Sequence, residues 1–302
     1  MLGKGGFAKV YQLKDYHTGI VYAAKLISKN SLVKTRARQK LYSEIKIHRQ
    51  LNHNNIVNFE SYFEDHDNVY ILLTLCKNKT LSELIKRRKR LHEFEVKCYA
   101  RQICEGIKYF QKHKIVHRDL KLANLFIDDN MEIKIGDFGL ATKLDFIGQK
   151  KRTICGTPNY IAPEILEGKK GHSFEVDIWS FGVIIYTLLY GKPPFESENV
   201  KETYTRIKNL AFEFPSHVLV DPMAKDLISR ILVSDPTERL DIYEVENHPF
   251  LNGPGIIPKT LCPSLLACPP TPAYIKQHEE MNPSLIIQKY YFEKEPEWHP
   301  QP

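Results

Sequence analysis

Apolar side chains in the first 75 residues fall in short runs, whereas from residue 94 they recur every three or four positions. Residues 10–13 and 20–27 are β-branched and aromatic, separated by His17-Thr18-Gly19, and predict two strands joined by a turn. Residues 69–75 predict a further strand. Between them, Leu41, Ile45 and Leu51 lie near helical spacing and predict a helix over 36–51. Val96, Tyr99, Ala100, Ile103, Ile107 and Phe110 mark one apolar face of a long amphipathic helix. More helices are predicted at 174–190, 199–209 and 223–232. The apolar run 178–190, interrupted by Ser180, Gly182 and Thr187, is shorter than the roughly 20 residues of a membrane span and reads as a buried core helix. The pattern is α+β: a small sheet-rich lobe precedes a larger helical one, and such a join commonly holds a ligand cleft.

Composition refines this picture. Of 18 prolines in 302 residues, ten lie in 252–302, where segments such as Cys268-Pro269-Pro270-Thr271-Pro272 cannot continue a helix. The compact domain is expected to end near His248-Pro249-Phe250-Leu251. Residues 252–302 are expected as an extended tail with a short helix near 274–281. Hydrophobic residues at 42% and charged residues at 26% exclude disordered and collagen-like chains. The net charge of +7 is uneven: 252–302 holds four lysines against five acidic residues, so an excess of +8 lies in 1–251. A basic surface suits acidic substrates, nucleic acid or anionic lipid, and charge alone does not choose. No apolar leader follows Met1-Leu2. The six cysteines form no CxxC pair, which fits a reduced intracellular compartment and free thiols.

Several short motifs carry chemistry. Gly3-Lys4-Gly5-Gly6-Phe7-Ala8-Lys9-Val10 precedes a predicted strand, and glycines let a backbone approach a phosphate closely. No GK[ST] ends it, so it is not a Walker A loop, and alone it equals a hairpin turn. Lys25 ends Tyr22-Ala23-Ala24-Lys25, and Glu44 sits on the next helix. Together in a cleft they would fix a lysine to grip phosphate oxygens; in isolation they read as a surface salt bridge. Then come His117-Arg118-Asp119-Leu120-Lys121-Leu122-Ala123-Asn124, Asp137-Phe138-Gly139, Gly156-Thr157-Pro158-Asn159-Tyr160 and Ala162-Pro163-Glu164.

In this order and context, these segments resemble the catalytic domain of a eukaryotic Ser/Thr protein kinase over residues 1–251. The resemblance implies a two-lobed fold, with an antiparallel sheet and one main helix in an N-lobe of about 1–75. A larger, mainly helical C-lobe of about 77–251 would follow. It implies ATP against Leu2, Gly3, Lys4, Gly5, Gly6, Phe7, Ala8, Val10, Ala23, Lys25, Leu73, Leu75, Cys76 and Phe126. Glu44 would hold Lys25, and Asn124 and Asp137 would ligate Mg²⁺. Asp119 would accept the proton of the substrate hydroxyl, with Lys121 beside it and Thr157 bracing both. Asp177 would hold the catalytic loop, Arg239 would pair with Glu164, and His117 would be a packed structural residue. Thr153, with Arg118 as the partner of its phosphate, is expected as the regulatory site; otherwise it is a solvated hydroxyl.

Finer details resemble the polo-like kinases: Gly5-Gly6-Phe7-Ala8, Lys134-Ile135-Gly136-Asp137-Phe138-Gly139-Leu140-Ala141-Thr142-Lys143, Gly171-His172-Ser173-Phe174-Glu175-Val176-Asp177 and Lys201-Glu202-Thr203-Tyr204. Leu73 stands at the gatekeeper position. Two positions depart: Thr74 stands where the family has Glu, and Val10 where its best-known members have Cys. The short start predicts a mostly missing first strand. Residues 252–302 are too short and proline-rich for a polo box. The expected activity is ATP-dependent phosphorylation of Ser/Thr in proteins, with acidic flanks preferred, in cell-cycle control and under an upstream activating kinase. The expected state is a monomer with no nucleic-acid partner and no membrane span. By resemblance it would lie in cytoplasm and nucleus, with centrosome and spindle included. The competing reading is an impaired fragment or pseudokinase acting as a nucleotide- or partner-binding scaffold. The basic run 86–90 reads as a solvated helix face, since no base-stacking aromatics interleave it, rather than as a nuclear-localisation or nucleic-acid patch.

Overall fold

The apolar runs near the N-terminus pair into one antiparallel sheet. In the computed structural model, which describes residues 1–4, 8–168, 170–253 and 257–280, the sheet contains β1 (Gly3–Lys4), β2 (Ala8–Lys14), β3 (Val21–Ser28), β4 (Phe59–Glu64) and β5 (Asn68–Thr74), in the order β1-β2-β3-β5-β4. β1 has two residues, and Leu2 extends its pairing by donating its N–H to the Val10 carbonyl at 2.7 Å. Residues 5–7 of the glycine segment lie outside the described residues. β4 went unpredicted because it is an edge strand whose side chains are mostly exposed, so its sequence shows little apolar alternation. Helix α1 (Thr35–His48) covers one face of the sheet. Ile27, Ile45 and Ile71 form a small core there, with Leu41, Phe59 and Leu73 packed on it.

Residues 75–80 lead from β5 into the larger lobe. That lobe begins with α2 (Leu81–Arg88) and α3 (Glu93–Lys112), then the short strands β6 (Ile115–Val116), β7 (Leu125–Ile127), β8 (Ile133–Ile135) and β9 (Thr142–Lys143). It continues with α4 (Pro163–Glu167), α5 (Glu175–Tyr190), α6 (Val200–Lys208), α7 (Pro222–Ile231), α8 (Ile242–Asn247) and α9 (Pro249–Asn252). The apolar run 178–190 is the core helix its length implied: every residue of α5 from Val176 to Tyr190 is buried. Trp179 stacks on Phe195 with centroids 5.5 Å apart, and each such aromatic contributes about 1.5–3 kcal/mol by leaving water. β6 pairs with β9, and β7 with β8, so the loops between them meet below the sheet. Among the described residues no helix is long and apolar enough to cross a membrane, and all six cysteines are free thiols.

The proline-rich segment departs from the extended tail expected of it. Residues 257–280, ending in α10 (Pro272–Glu280), lie along α2 and α3. Leu261 and Leu265 are buried. Gln102 donates to the Lys259 carbonyl at 2.8 Å, and the Cys98 thiol donates to that of Pro258. Tyr274 and His278 pack edge-on against Phe94. The basic run explains part of this fit. Arg87 donates to the Leu266 carbonyl at 3.0 Å, and Arg88 donates to that of Leu265. Arg88 also forms a buried two-bond pair with Glu95, both bonds at 2.9 Å. Proline prevents regular helix here but leaves carbonyls free to accept, and the two arginines use them. Only part of the run 86–90 is therefore a solvated face.

Cutting the chain after Gly253 removes two buried leucines and uncovers the Arg88–Glu95 pair. The shortened protein is expected to lose at least about 3 kcal/mol of unfolding free energy, read from urea denaturation against the full chain.

Candidate active site

The register of the sheet puts one set of side chains on the face toward the larger lobe. Directly opposed residues of antiparallel strands share a face, and Val10 opposes Lys25, Lys25 opposes Ile71, and Ala23 opposes Leu73. Val10, Ala23, Lys25 and Leu73 thus line one side. Leu75 and Cys76 follow in the connection between lobes, both half-buried. Burial pushes the Cys76 thiol up to about 12, so it stays protonated. From the other lobe Phe126 bridges to Thr80 and packs on Gly136. Thr74, the departure from the resembling family, donates its hydroxyl to Glu60 at 2.7 Å, at a bulge in β4.

One ammonium joins three elements. Lys25 Nζ on β3 lies 2.6 Å from Glu44 Oε1 on α1 and 3.1 Å from Asp137 Oδ1 after β8. Burial opposes charge on Lys25, but the two carboxylates outweigh it and hold its pKa above the usual lysine value. Burial likewise opposes charge on Asp137, and Lys25 outweighs it, holding that carboxyl below its ordinary range. Gly139 makes the approach possible, because a Cβ there would stand 3.2 Å from Asp137 Oδ1 and 3.3 Å from Glu44 Oε2.

A second carboxylate is framed more tightly. Asp119 Oδ1 accepts from the Thr157 hydroxyl at 2.7 Å and Oδ2 from Lys121 Nζ at 2.8 Å. Lys121 also donates to Thr157 at 2.9 Å, closing a triangle. Asn124 donates to the Asp119 carbonyl at 2.9 Å, which leaves its own amide oxygen free to accept. The backbone is bent at both carboxylates: Arg118, just before Asp119, has φ +65°, and Asp137 itself has φ +59°. Neither is glycine, and such conformations persist only when neighbours impose them. Asp177 imposes the first, for its two oxygens accept from the backbone N–H of His117 and of Arg118, each at 2.8 Å.

Aromatic rings tie this loop to α1. Phe138 lies 4.8 Å from His48 and 4.9 Å from His117, and His48 lies 5.7 Å from Phe59, measured between ring centroids. Burial pushes His48 down to about 4, so it packs as a neutral ring while bonding to the Val57 carbonyl at 2.7 Å. His117 is fully buried. Sequence reasoning missed His48, although its place four residues after Glu44, on the same helix face, was the available signal. Arg239 meets Glu164 through two buried bonds of 2.7 and 3.1 Å. Thr153 is exposed, and no hydrogen bond joins it to Arg118, whose Nε donates instead to the Leu140 carbonyl at 2.8 Å.

Known proteins share this arrangement at the level of sequence. The family profile described as "Protein kinase domain" matches residues 1–251. A Zea mays protein named "Probable serine/threonine-protein kinase CCRP1" is 58% identical over 277 residues, covering 92% of this chain and 44% of its own. The Xenopus laevis "Serine/threonine-protein kinase PLK1" is 51% identical over 269 residues, covering 89% and 44%. The Drosophila melanogaster "Serine/threonine-protein kinase polo" is 51% identical over 268 residues, covering 89% and 46%. The chain thus spans less than half the length of these relatives.

Replacing Asp177 by Ala leaves two buried N–H groups without an acceptor. That variant is expected to lose at least about 2 kcal/mol of stability by urea unfolding, with Asp177→Asn intermediate.

Proposed function

Since the chain belongs to the protein kinase family, with polo-like Ser/Thr kinases among its relatives, we propose that it transfers the γ-phosphoryl group of ATP to Ser and Thr hydroxyls of other proteins. The observation that carries this reading is Lys25 Nζ held between Glu44 and Asp137. A charged lysine fixed at the end of a cleft is suited to grip phosphate oxygens, and its two carboxylates keep it charged. Val10, Ala23, Leu73, Leu75, Cys76 and Phe126 supply apolar walls for the adenine. Leu2, Gly3, Lys4 and Ala8, with Gly5, Gly6 and Phe7 outside the described residues, form the segment assigned to the phosphates.

Asp119 receives the substrate. Its carboxylate accepts the proton of the Ser or Thr hydroxyl as that oxygen bonds to the γ-phosphorus and the bond to the β-phosphate oxygen breaks. Thr157 and Lys121 hold Asp119 in one orientation, and Lys121 offsets the negative charge of the transferring group. Asp137 and Asn124 suit Mg²⁺: both offer hard oxygen, and the Asp137 side chain is 45% exposed despite its bond to Lys25. Among the described residues no cluster of three or more His, Cys, Asp and Glu side chains could hold a metal ion alone. Mg²⁺ in such a site needs only one or two protein oxygens, with waters and phosphate oxygens completing its shell, and when bound it neutralises phosphate charge. The full set of Lys25, Glu44, Asp119, Asn124 and Asp137 favours an enzyme over a scaffold.

Finer parts of the reading rest on the resemblance. Thr153 is the activating site of an upstream kinase, with Arg118 the partner of its phosphate, which would add about −1.5 to −2 charges. The excess of basic residues in 1–251 supports a preference for acidic flanks around the target hydroxyl. The setting is cell-cycle control inside the cell, in cytoplasm and nucleus with centrosome and spindle included, by a monomeric catalytic unit.

The test is Mg²⁺-dependent transfer of labelled γ-phosphate from ATP to casein, with Asp119→Asn alongside. The variant is expected to bind nucleotide as the parent does and to transfer about 10²–10⁴ times more slowly. Equal rates in the two proteins would remove Asp119 from the chemistry.

A further inference from the structure

The segment between Asp137 and Glu164 is held at both ends. Near its start β9 pairs with β6, and near its end Thr157 bonds to Asp119 and Lys121. Between these, among the described residues, the main chain of 146–155 is bonded to the remainder of the lobe at one place. Lys151 and His172 exchange two backbone hydrogen bonds: Lys151 N–H to the His172 carbonyl at 2.9 Å, and His172 N–H to the Lys151 carbonyl at 2.8 Å. The two residues form an isolated antiparallel bridge, only two positions before Thr153.

The other side of the bridge is built to receive it. Gly171 has φ +73°, a conformation that residues with side chains rarely adopt. A Cβ there would lie 3.0 Å from Lys150 Cβ, 3.0 Å from the Lys151 carbonyl oxygen and 3.5 Å from Arg152 Cγ. The two chains are thus packed as closely as glycine permits. His172 is 2% exposed, and its Nε2 has no hydrogen-bond partner. Burial, with the Arg118 charge adding to it and Glu164 opposing, pushes the imidazole down to about 4, so the ring is neutral. Three residues on, α5 begins, and its first turn carries Asp177, which holds the loop of Asp119.

We propose that Gly171 and the backbone of His172 are positioning residues for the protein substrate. They anchor the Thr153 segment to the N-terminus of α5. The same six-residue stretch, 172–177, then sets both the loop of Asp119 and the chain that leads to Thr157. An incoming protein meets a surface whose two halves share one support. The anchor touches neither nucleotide walls nor reacting atoms, so its loss weakens use of the protein substrate and leaves nucleotide binding alone. The kinetic part of this inference rests on the kinase reading; the anchoring itself does not.

Two variants of the full chain test it. Gly171→Ala places a Cβ into the contact, and Lys151→Pro removes one of the two donors from the other strand. The first readout is the rate of trypsin cleavage at the Arg152–Thr153 bond, present in both. Opening of the segment is expected to speed it about tenfold, the effect of losing one or two hydrogen bonds. The second is a split in kinetics: KM for casein rises about tenfold, while the dissociation constant of a fluorescent ATP analogue stays within about twofold. If Gly171→Ala does not fold, Lys151→Pro, on a loop with exposed neighbours, decides alone. Cleavage and KM unchanged in a folded variant would overturn the anchor. A parent chain that transfers no phosphate, even with Thr153 phosphorylated, would overturn the kinase reading, and the cleavage comparison would still decide the anchor.

Discussion

The carboxylate of Asp177 is the constraint on which the site depends. It is fully buried, and a buried charge is tolerated only when its hydrogen-bonding capacity is met. Burial pushes its pKa up, toward the neutral form, against the pull of His117 and Arg118. The two N–H groups it accepts belong to consecutive residues, and one of them, Arg118, has positive φ. Asp119 comes next in the chain. The direction of its side chain follows from a backbone conformation costing roughly 1–3 kcal/mol, which the buried acceptor offsets.

The second requirement is that the two lobes agree. Lys25 belongs to the sheet, Glu44 to α1 and Asp137 to the larger lobe, so the ion pairs exist only in one relative placement of the three. The rings of Phe59, His48, Phe138 and His117 repeat that demand in apolar form, running from β4 to the loop bonded by Asp177. Ion pairs tolerate small shifts through water, whereas packed rings lose contact over fractions of an ångström. The stack is therefore the stricter gauge of alignment, and the ion pair the more responsive one. A neutral His48 suits this role, since a charged ring between Phe59 and Phe138 would have to be desolvated.

Much of this was legible in the residues. α3 and α5 stood out because an amphipathic stripe and an unbroken apolar run each leave a clear period. The pairing of Arg239 with Glu164 and the bracing of Asp119 by Thr157 were implied by the family resemblance and are present in the structure. β4 was not legible, since an edge strand need not alternate. The seat of residues 257–280 was hidden for another reason: proline content reports what a backbone cannot do, not which surface accepts its carbonyls. Arg87 and Arg88 looked like solvent-facing charge because their acceptors lie about 180 residues away in the chain. The bridge of Lys151 with His172 is likewise made by backbone atoms, which carry no residue signature.

The seating of that last segment has a consequence for the order in which the protein is made. A chain emerging from its N-terminus presents α2 and α3 long before residues 261–266 have been synthesised. Until then Cys98 and Gln102 lack the carbonyls of Pro258 and Lys259, and Arg87 and Arg88 lack those of Leu266 and Leu265. Domains generally fold as units during synthesis, and this one gains these bonds only after its last motif has been made. The lobe is thus completed by a stretch of chain that contributes nothing to the cleft.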